Sequence, residues 1–317
     1  MLWRRKSKIE IALPPEPRGL RPRELPAELL RRLEFRVLKR LDGFLFGDYT
    51  GFFYGPSLDL AEVREYQPGD EVRRIDWNVT ARTGRIHIRQ YREEKEVTVW
   101  LLLDLSASMR FGTRRVLKVE EALEFAGVAA SIAARHGDKV GAIGFSEAGL
   151  RVVPPGTGRR QVLRVLHEMQ QHLEQPGPGG GGLERALDYA ARTLRRRGLL
   201  FVVSDFLLAP EEPDWVPLLR RLSYRHDVVA VRVLDPAELE LPSAGELRLR
   251  DPETGEEVWL DTSDPRVRQA HAALVRAREV RLERALRAAQ VDTLTLLTAQ
   301  EIVEPLLRFT LRRRGQR

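Results

Sequence analysis

The stretch Val97-Thr98-Val99-Trp100-Leu101-Leu102-Leu103-Asp104-Leu105-Ser106-Ala107-Ser108-Met109 decides the reading of this 317-residue chain. Its first seven residues are a near-continuous apolar run, the mark of a β-strand covered on both faces. A helix pattern follows at about Lys118–Arg135, then a strand at Lys139–Phe145 and a shorter one at Leu150–Val153, close enough for a hairpin. Helices are expected near Arg159–Leu173 and Leu183–Arg196, a buried strand at Leu199–Ser204, a helix near Trp215–Leu222 and a strand at Val228–Leu234. A long helix from Asp264-Pro265 to about Ala289, a strand at Asp292–Leu297 and a helix at Ala299–Leu311 complete the alternation. Strands alternating with helices pair in parallel through crossover helices. The chain therefore reads as α/β, a doubly wound, mostly parallel sheet over residues 97–311. A hairpin insertion near 245–262 interrupts it, and residues 312–317 form a basic tail.

Upstream the pattern differs. Residues 1–25 are Pro-rich and read as an extended segment. Residues 26–96 read as a helix plus a small β region, giving a smaller mixed α+β N-terminal part. Leu29, Leu30, Leu33, Val37, Leu38 and Leu41 recur at helical spacing from Pro26 to about Asp42. Phe44, Phe46, Tyr49, Phe52, Phe53 and Tyr54 then fill a Gly-rich stretch suited to turns and short strands packing a small core. Ile86 and Ile88 alternate with basic residues as on a half-buried strand, and Ile75 and Trp77 read the same way.

Composition bounds the chemistry. With no cysteine, disulfide scaffolds, thiolate nucleophiles and Cys-ligated metal sites are excluded. Lys+Arg number 53 against 46 Asp+Glu, and residues 1–95 hold 20 against 15, so most of the basic excess lies in the first third. No run approaches the ~20 apolar residues of a membrane span, and the basic start is followed by charged and Pro-rich sequence. The cytoplasm is the expected location. The six histidines are scattered and set up no nucleophile–His–acid order. Neither glycine-rich stretch, Gly156–Arg160 or Gly179–Gly182, ends as a phosphate-binding loop does.

Asp104, Ser106 and Ser108 alternate on the loop after a buried strand, so their oxygens can turn toward one point. Such a set suits a hard divalent ion, Mg²⁺ or Mn²⁺. The same residue types also serve as ordinary turn and helix-cap groups. Asp205, at the end of another buried strand, favours the ion site if the two strands are neighbours.

Asp104-x-Ser106-x-Ser108 with Asp205 resembles the metal-ion-dependent adhesion site of von Willebrand factor A-like domains. The segment Arg64-Glu65-Tyr66-Gln67-Pro68-Gly69-Asp70-Glu71-Val72-Arg73-Arg74-Ile75-Asp76-Trp77-Asn78-Val79-Thr80-Ala81-Arg82 resembles the signature of the bacterial domain-of-unknown-function 58 family. That resemblance covers about residues 43–310. It implies that Ser106 and Ser108 bind the ion directly, with Asp104 and Asp205 binding directly or through water. It also places Gly181, which has no hydroxyl, where the adhesion site usually has Thr. Family members are often encoded beside MoxR-type AAA+ ATPases, so it implies a non-catalytic adaptor that partners such an ATPase or its client. Arg73, Arg74, Asp76 and Trp77 offer either a structural latch or a surface for an acidic partner. Two other readings compete: a metal-dependent phosphoester hydrolase at the same acidic edge, and nucleic-acid binding through the basic first third.

Overall fold

The apolar run becomes an inner strand of a six-stranded sheet. A computed structural model describes residues 25–34, 37, 62–67, 70, 72, 75–90, 97–175, 182–207, 215–250 and 257–315. The N-terminal part comprises α1 (Pro26–Leu33), β1 (Glu62–Glu65), α2 (Trp77–Thr83) and β2 (His87–Gln90). There follow β3 (Thr98–Asp104), a 3₁₀ turn (Ala107–Arg110), α3 (Lys118–Arg135), β4 (Lys139–Ser146), β5 (Gly149–Gly156) and α4 (Gly158–Leu173). Next come α5 (Leu183–Thr193), β6 (Leu199–Ser204), α6 (Trp215–Ser223), β7 (Asp227–Leu234) and α7 (Pro236–Leu239). The last elements are β8 (Glu246–Arg250), β9 (Glu257–Asp261), α8 (Pro265–Ala288), β10 (Asp292–Leu297) and α9 (Val303–Gly315).

The sheet order is β10-β7-β6-β3-β4-β5, and every pairing is parallel except β4 with β5. Numbered along the sheet's own strands this is 3-2-1-4-5-6, a doubly wound α/β order. Val99, Leu101 and Leu103 bury against α3, α4 and α9, while Leu102 buries on the opposite face with α5, α6 and α8. Alternate residues of one strand thus feed two cores, which explains why the run is apolar throughout.

Helix α3 is buried nearly all round, because α1 lies over its outer side with Leu29, Leu30 and Leu33. Gly127 permits that approach, since a Cβ there would stand 2.6 Å from Leu33 Cδ1. Burying each leucine contributes about 1.5–3 kcal/mol. Arg32 of α1 also donates to Glu124 Oε1 at 2.6 Å. Beside it, burial and the nearby Glu124 push the Glu121 carboxyl up to about 8, against the pull of Arg115.

In the N-terminal part, β1 and β2 pair antiparallel and Ile75 forms a single bridge to Ile88. The strand expected through Ile75 and Trp77 does not form. Asp76 caps α2 instead, accepting from the Asn78 and Val79 amides at 3.0 and 3.2 Å, which turns the chain into a helix at Trp77. The Trp77 indole is 68% exposed rather than buried. The aromatic stretch at 44–54 lies outside the described residues. The last helix starts at Val303, later than the expected Ala299, after a turn in which Gln300 N donates to Leu297 O. Strands β8 and β9 form a separate two-stranded hairpin. Among the described residues no helix is long and apolar enough to cross a membrane.

Candidate functional site

The register of the sheet assembles the site. Leu103 pairs with Val203, so Asp104 and Ser204 end adjacent strands side by side and Asp205 follows one residue beyond. Strands β3 and β6 flank the point where the chain's winding reverses, the place where doubly wound sheets open a crevice beyond their carboxyl ends.

All four residues expected to hold an ion meet there. Asp104 Oδ1 accepts from the Ser106 amide at 3.0 Å and from Ser106 Oγ at 2.6 Å. Ser106 Oγ lies 3.1 Å from Ser108 Oγ, and Ser108 Oγ donates to Asp205 Oδ2 at 2.9 Å. Asp104, Ser108 and Asp205 are buried and Ser106 is half-buried. The loop between them is held from outside by Glu147, whose Oε1 accepts from the Ala107 amide at 2.7 Å. Phe206 follows Asp205 with φ 50°, a left-handed conformation uncommon for an aromatic residue. It is kept there by its amide's hydrogen bond to Ser204 Oγ (3.1 Å) and by edge-on packing of its ring against Trp215.

Sequence reasoning missed three participants. Ser204 Oγ donates to Asp104 Oδ2 at 2.6 Å. Lys118 Nζ, fully buried in the first turn of α3, donates to Asp205 Oδ2 at 2.7 Å and to Glu238 Oε1 at 2.6 Å. Glu238 Oε2 in turn accepts from the Asp235 amide at 3.0 Å, closing the first turn of α7. Lys118 is one of only six lysines, but a lysine opening a helix that carries three glutamates in its first two turns reads as an ordinary solvated residue. Ser204 stood immediately before Asp205, while Glu238 gave no signal of its own.

Burial and close charges set the electrostatics of this cluster. Burial, then the nearby Asp205 carboxylate, pushes the Asp104 carboxyl up to about 7, and the hydrogen bonds from Ser106 and Ser204 only partly offset this. For Lys118, burial lowers the ammonium's pKa, yet Asp205 and Glu238 outweigh it and hold the group above its usual value. Two carboxylates and two hydroxyls in one hydrogen-bonded cluster match the hard oxygen donors a small divalent ion takes. Among the described residues no three His, Cys, Asp or Glu side chains cluster to hold a metal, so an ion here depends on the serine oxygens.

Of the other expected partner residues, Asp76 is buried and committed to its cap, and Trp77 is exposed on α2. Arg73, Arg74 and Gly181 lie outside the described residues.

Residues 62–281 match the family model described as a protein of unknown function, DUF58. This chain belongs to the DUF58 family. An uncharacterized protein of Mycobacterium tuberculosis strain H37Rv is 37% identical over 290 residues, which is 91% of this chain and 90% of that protein. Another, from Mycobacterium avium, is 34% identical over 164 residues, 51% of this DUF58 chain and 95% of its own length. Among solved structures it is similar to the conserved hypothetical protein BatB from Bacteroides thetaiotaomicron, at 15% identity and TM-score 0.42 over 69% of this chain and 99% of that one. It is also similar to the SpRpn10 VWA domain, at 13% identity and TM-score 0.40 over 67% and 94% of the two chains.

Proposed function

We propose that this DUF58 protein is a non-catalytic adaptor of the cytoplasm that captures a protein partner through a divalent ion at the carboxyl edge of its sheet. The observation that carries this reading is the convergence of Asp104, Ser106, Ser108 and Asp205 into one hydrogen-bonded cluster at the winding reversal. Ser106 and Ser108 would hold Mg²⁺ or Mn²⁺ directly, with Asp104 and Asp205 bonding to it or to its waters. When bound, the ion supplies a Lewis-acidic position that accepts a carboxylate oxygen. The chain's own residues orient that position. Ser204 and the Ser106 amide fix both oxygens of Asp104, Glu147 fixes the loop, and the Leu207 amide donates to Asp205 Oδ1 at 3.0 Å. A partner placing an Asp or Glu side chain there would bind in a metal-dependent, chelator-sensitive way. The family resemblance suggests a MoxR-type AAA+ ATPase, or its client, as that partner.

The test measures binding of the MoxR-type ATPase from the same genome to the purified chain, in Mg²⁺ and in chelator. The expected result is association in Mg²⁺ that is lost with chelator and in a folded S106A/S108A double variant. Association unchanged by both would overturn the reading.

A further inference from the structure

Lys118 stands apart from every other cation among the described residues. Its side chain is wholly buried, and among the described residues it meets two carboxylates, Asp205 of the ion cluster and Glu238 of the neighbouring α7. An ammonium is a strongly hydrated group, seldom buried without a paired charge that needs it. Here the pairing is asymmetric. Asp205 belongs to the ion cluster, and the same Oδ2 that Lys118 holds also accepts from Ser108 Oγ. Glu238 belongs to the neighbouring segment that closes the rim. Its second oxygen accepts from the amide of Asp235, the N-cap of α7, and Asp235 in turn binds Thr113 on the loop before α3 and Thr298 after β10.

We infer that Lys118 is a tethered cation that competes with the divalent ion for Asp205 and passes the outcome to the Asp235–Leu239 segment. This rests on the ion site proposed above and adds its regulation. A divalent ion beside Ser108 Oγ would lie next to Asp205 Oδ2, the oxygen that the ammonium already holds, and like charges so close repel strongly where water is excluded. With an ion bound, Lys118 would lean toward Glu238, its other carboxylate partner among the described residues. The amino end of α7 then experiences a stronger pull on the residue that caps it.

The test is Mn²⁺ titration by calorimetry of the full chain as wild type, K118Q and K118R, with folding verified by circular dichroism. The account expects K118Q to bind Mn²⁺ at least about tenfold more tightly than wild type, and K118R, which keeps the charge, to resemble wild type. Equal Mn²⁺ affinity in wild type and folded K118Q would overturn the lysine's role while leaving the ion site standing. No binding by either at millimolar Mn²⁺ would overturn both. A second measurement covers a K118Q that does not fold: hydrogen exchange of the wild-type amides of Asp235, Ala237, Glu238 and Leu239 with and without Mn²⁺. A change in their protection supports the coupling, and identical exchange at saturating Mn²⁺ refutes it.

Discussion

Replacing Asp104 by Asn should change how stability depends on pH, because this carboxyl is the group at the site most penalised for ionising. Its pKa rises from the ordinary 3.8 to about 7 in the folded protein, through burial first and the facing Asp205 second. For an acid shifted upward, the native state binds more protons than the unfolded chain across the interval between the two values. Stability from Asp104 is therefore fully present below about pH 3.8 and is lost as pH rises through about 7. At about 1.4 kcal/mol per pKa unit, the whole loss is on the order of 4 kcal/mol, of which about 2–3 falls between pH 5 and pH 8. Asn removes that term and keeps one acceptor oxygen, so it gives up part of the hydrogen bonding from Ser106 and Ser204. That cost is about 1 kcal/mol and independent of pH. The D104N variant should lie within about 1 kcal/mol of wild type at pH 5 and should gain on it by about 2–3 kcal/mol by pH 8. Glu121, also shifted upward, is common to both proteins and cancels in the difference. Urea unfolding followed by tryptophan fluorescence in chelator, from pH 5 to pH 8, reads this directly. Stability curves for the two proteins that run parallel across that range would refute the claim that burial and the facing Asp205 disfavour the ionised Asp104.

Two further predictions concern the frame around the site. Asp235 accepts from the Thr113 amide and hydroxyl at 2.7 and 2.5 Å, from Thr298 Oγ1 at 2.6 Å and from the Ala237 amide at 2.9 Å. D235A should lose on the order of 3 kcal/mol in urea unfolding at pH 7, and a loss below about 1 kcal/mol would show that the carboxylate does not tie these loops. A Cβ at Gly198 would stand 2.3 Å from the Thr98 carbonyl oxygen, where β6 enters beside β3. G198A should therefore destabilise by about 1–3 kcal/mol through backbone displacement, whereas an unchanged melting temperature would contradict the tight approach of these two strands.

The parts of the fold that were legible in sequence are those that rest on short-range pattern. The run at 97–103 could only be a strand covered on both faces, and Asp104, Ser106 and Ser108 could be grouped because extended chain repeats every two residues. Asp205 was legible only conditionally, since its place beside Asp104 depends on β6 pairing with β3 rather than with another strand. Lys118 was not legible as a site residue. A lysine opening a helix reads as solvated, and what it meets is long-range: Asp205 comes from 87 positions away and Glu238 from 120. Ile75 and Trp77 were misread because their alternation suits a strand, while the side chain between them, Asp76, suits a helix cap. The cap prevailed, since the two amides it satisfies would otherwise start α2 without partners.

The central claim is that the oxygens of Asp104, Ser106, Ser108 and Asp205 form a cation site. Anomalous diffraction from Mn²⁺-soaked crystals of wild type and K118Q tests it most directly. The account predicts a manganese peak at bonding distance from both Ser106 Oγ and Ser108 Oγ, stronger in K118Q, with Lys118 of the wild type drawn toward Glu238. Crystals of both proteins with no peak between the two hydroxyls, and with Ser108 still donating to Asp205, would contradict it.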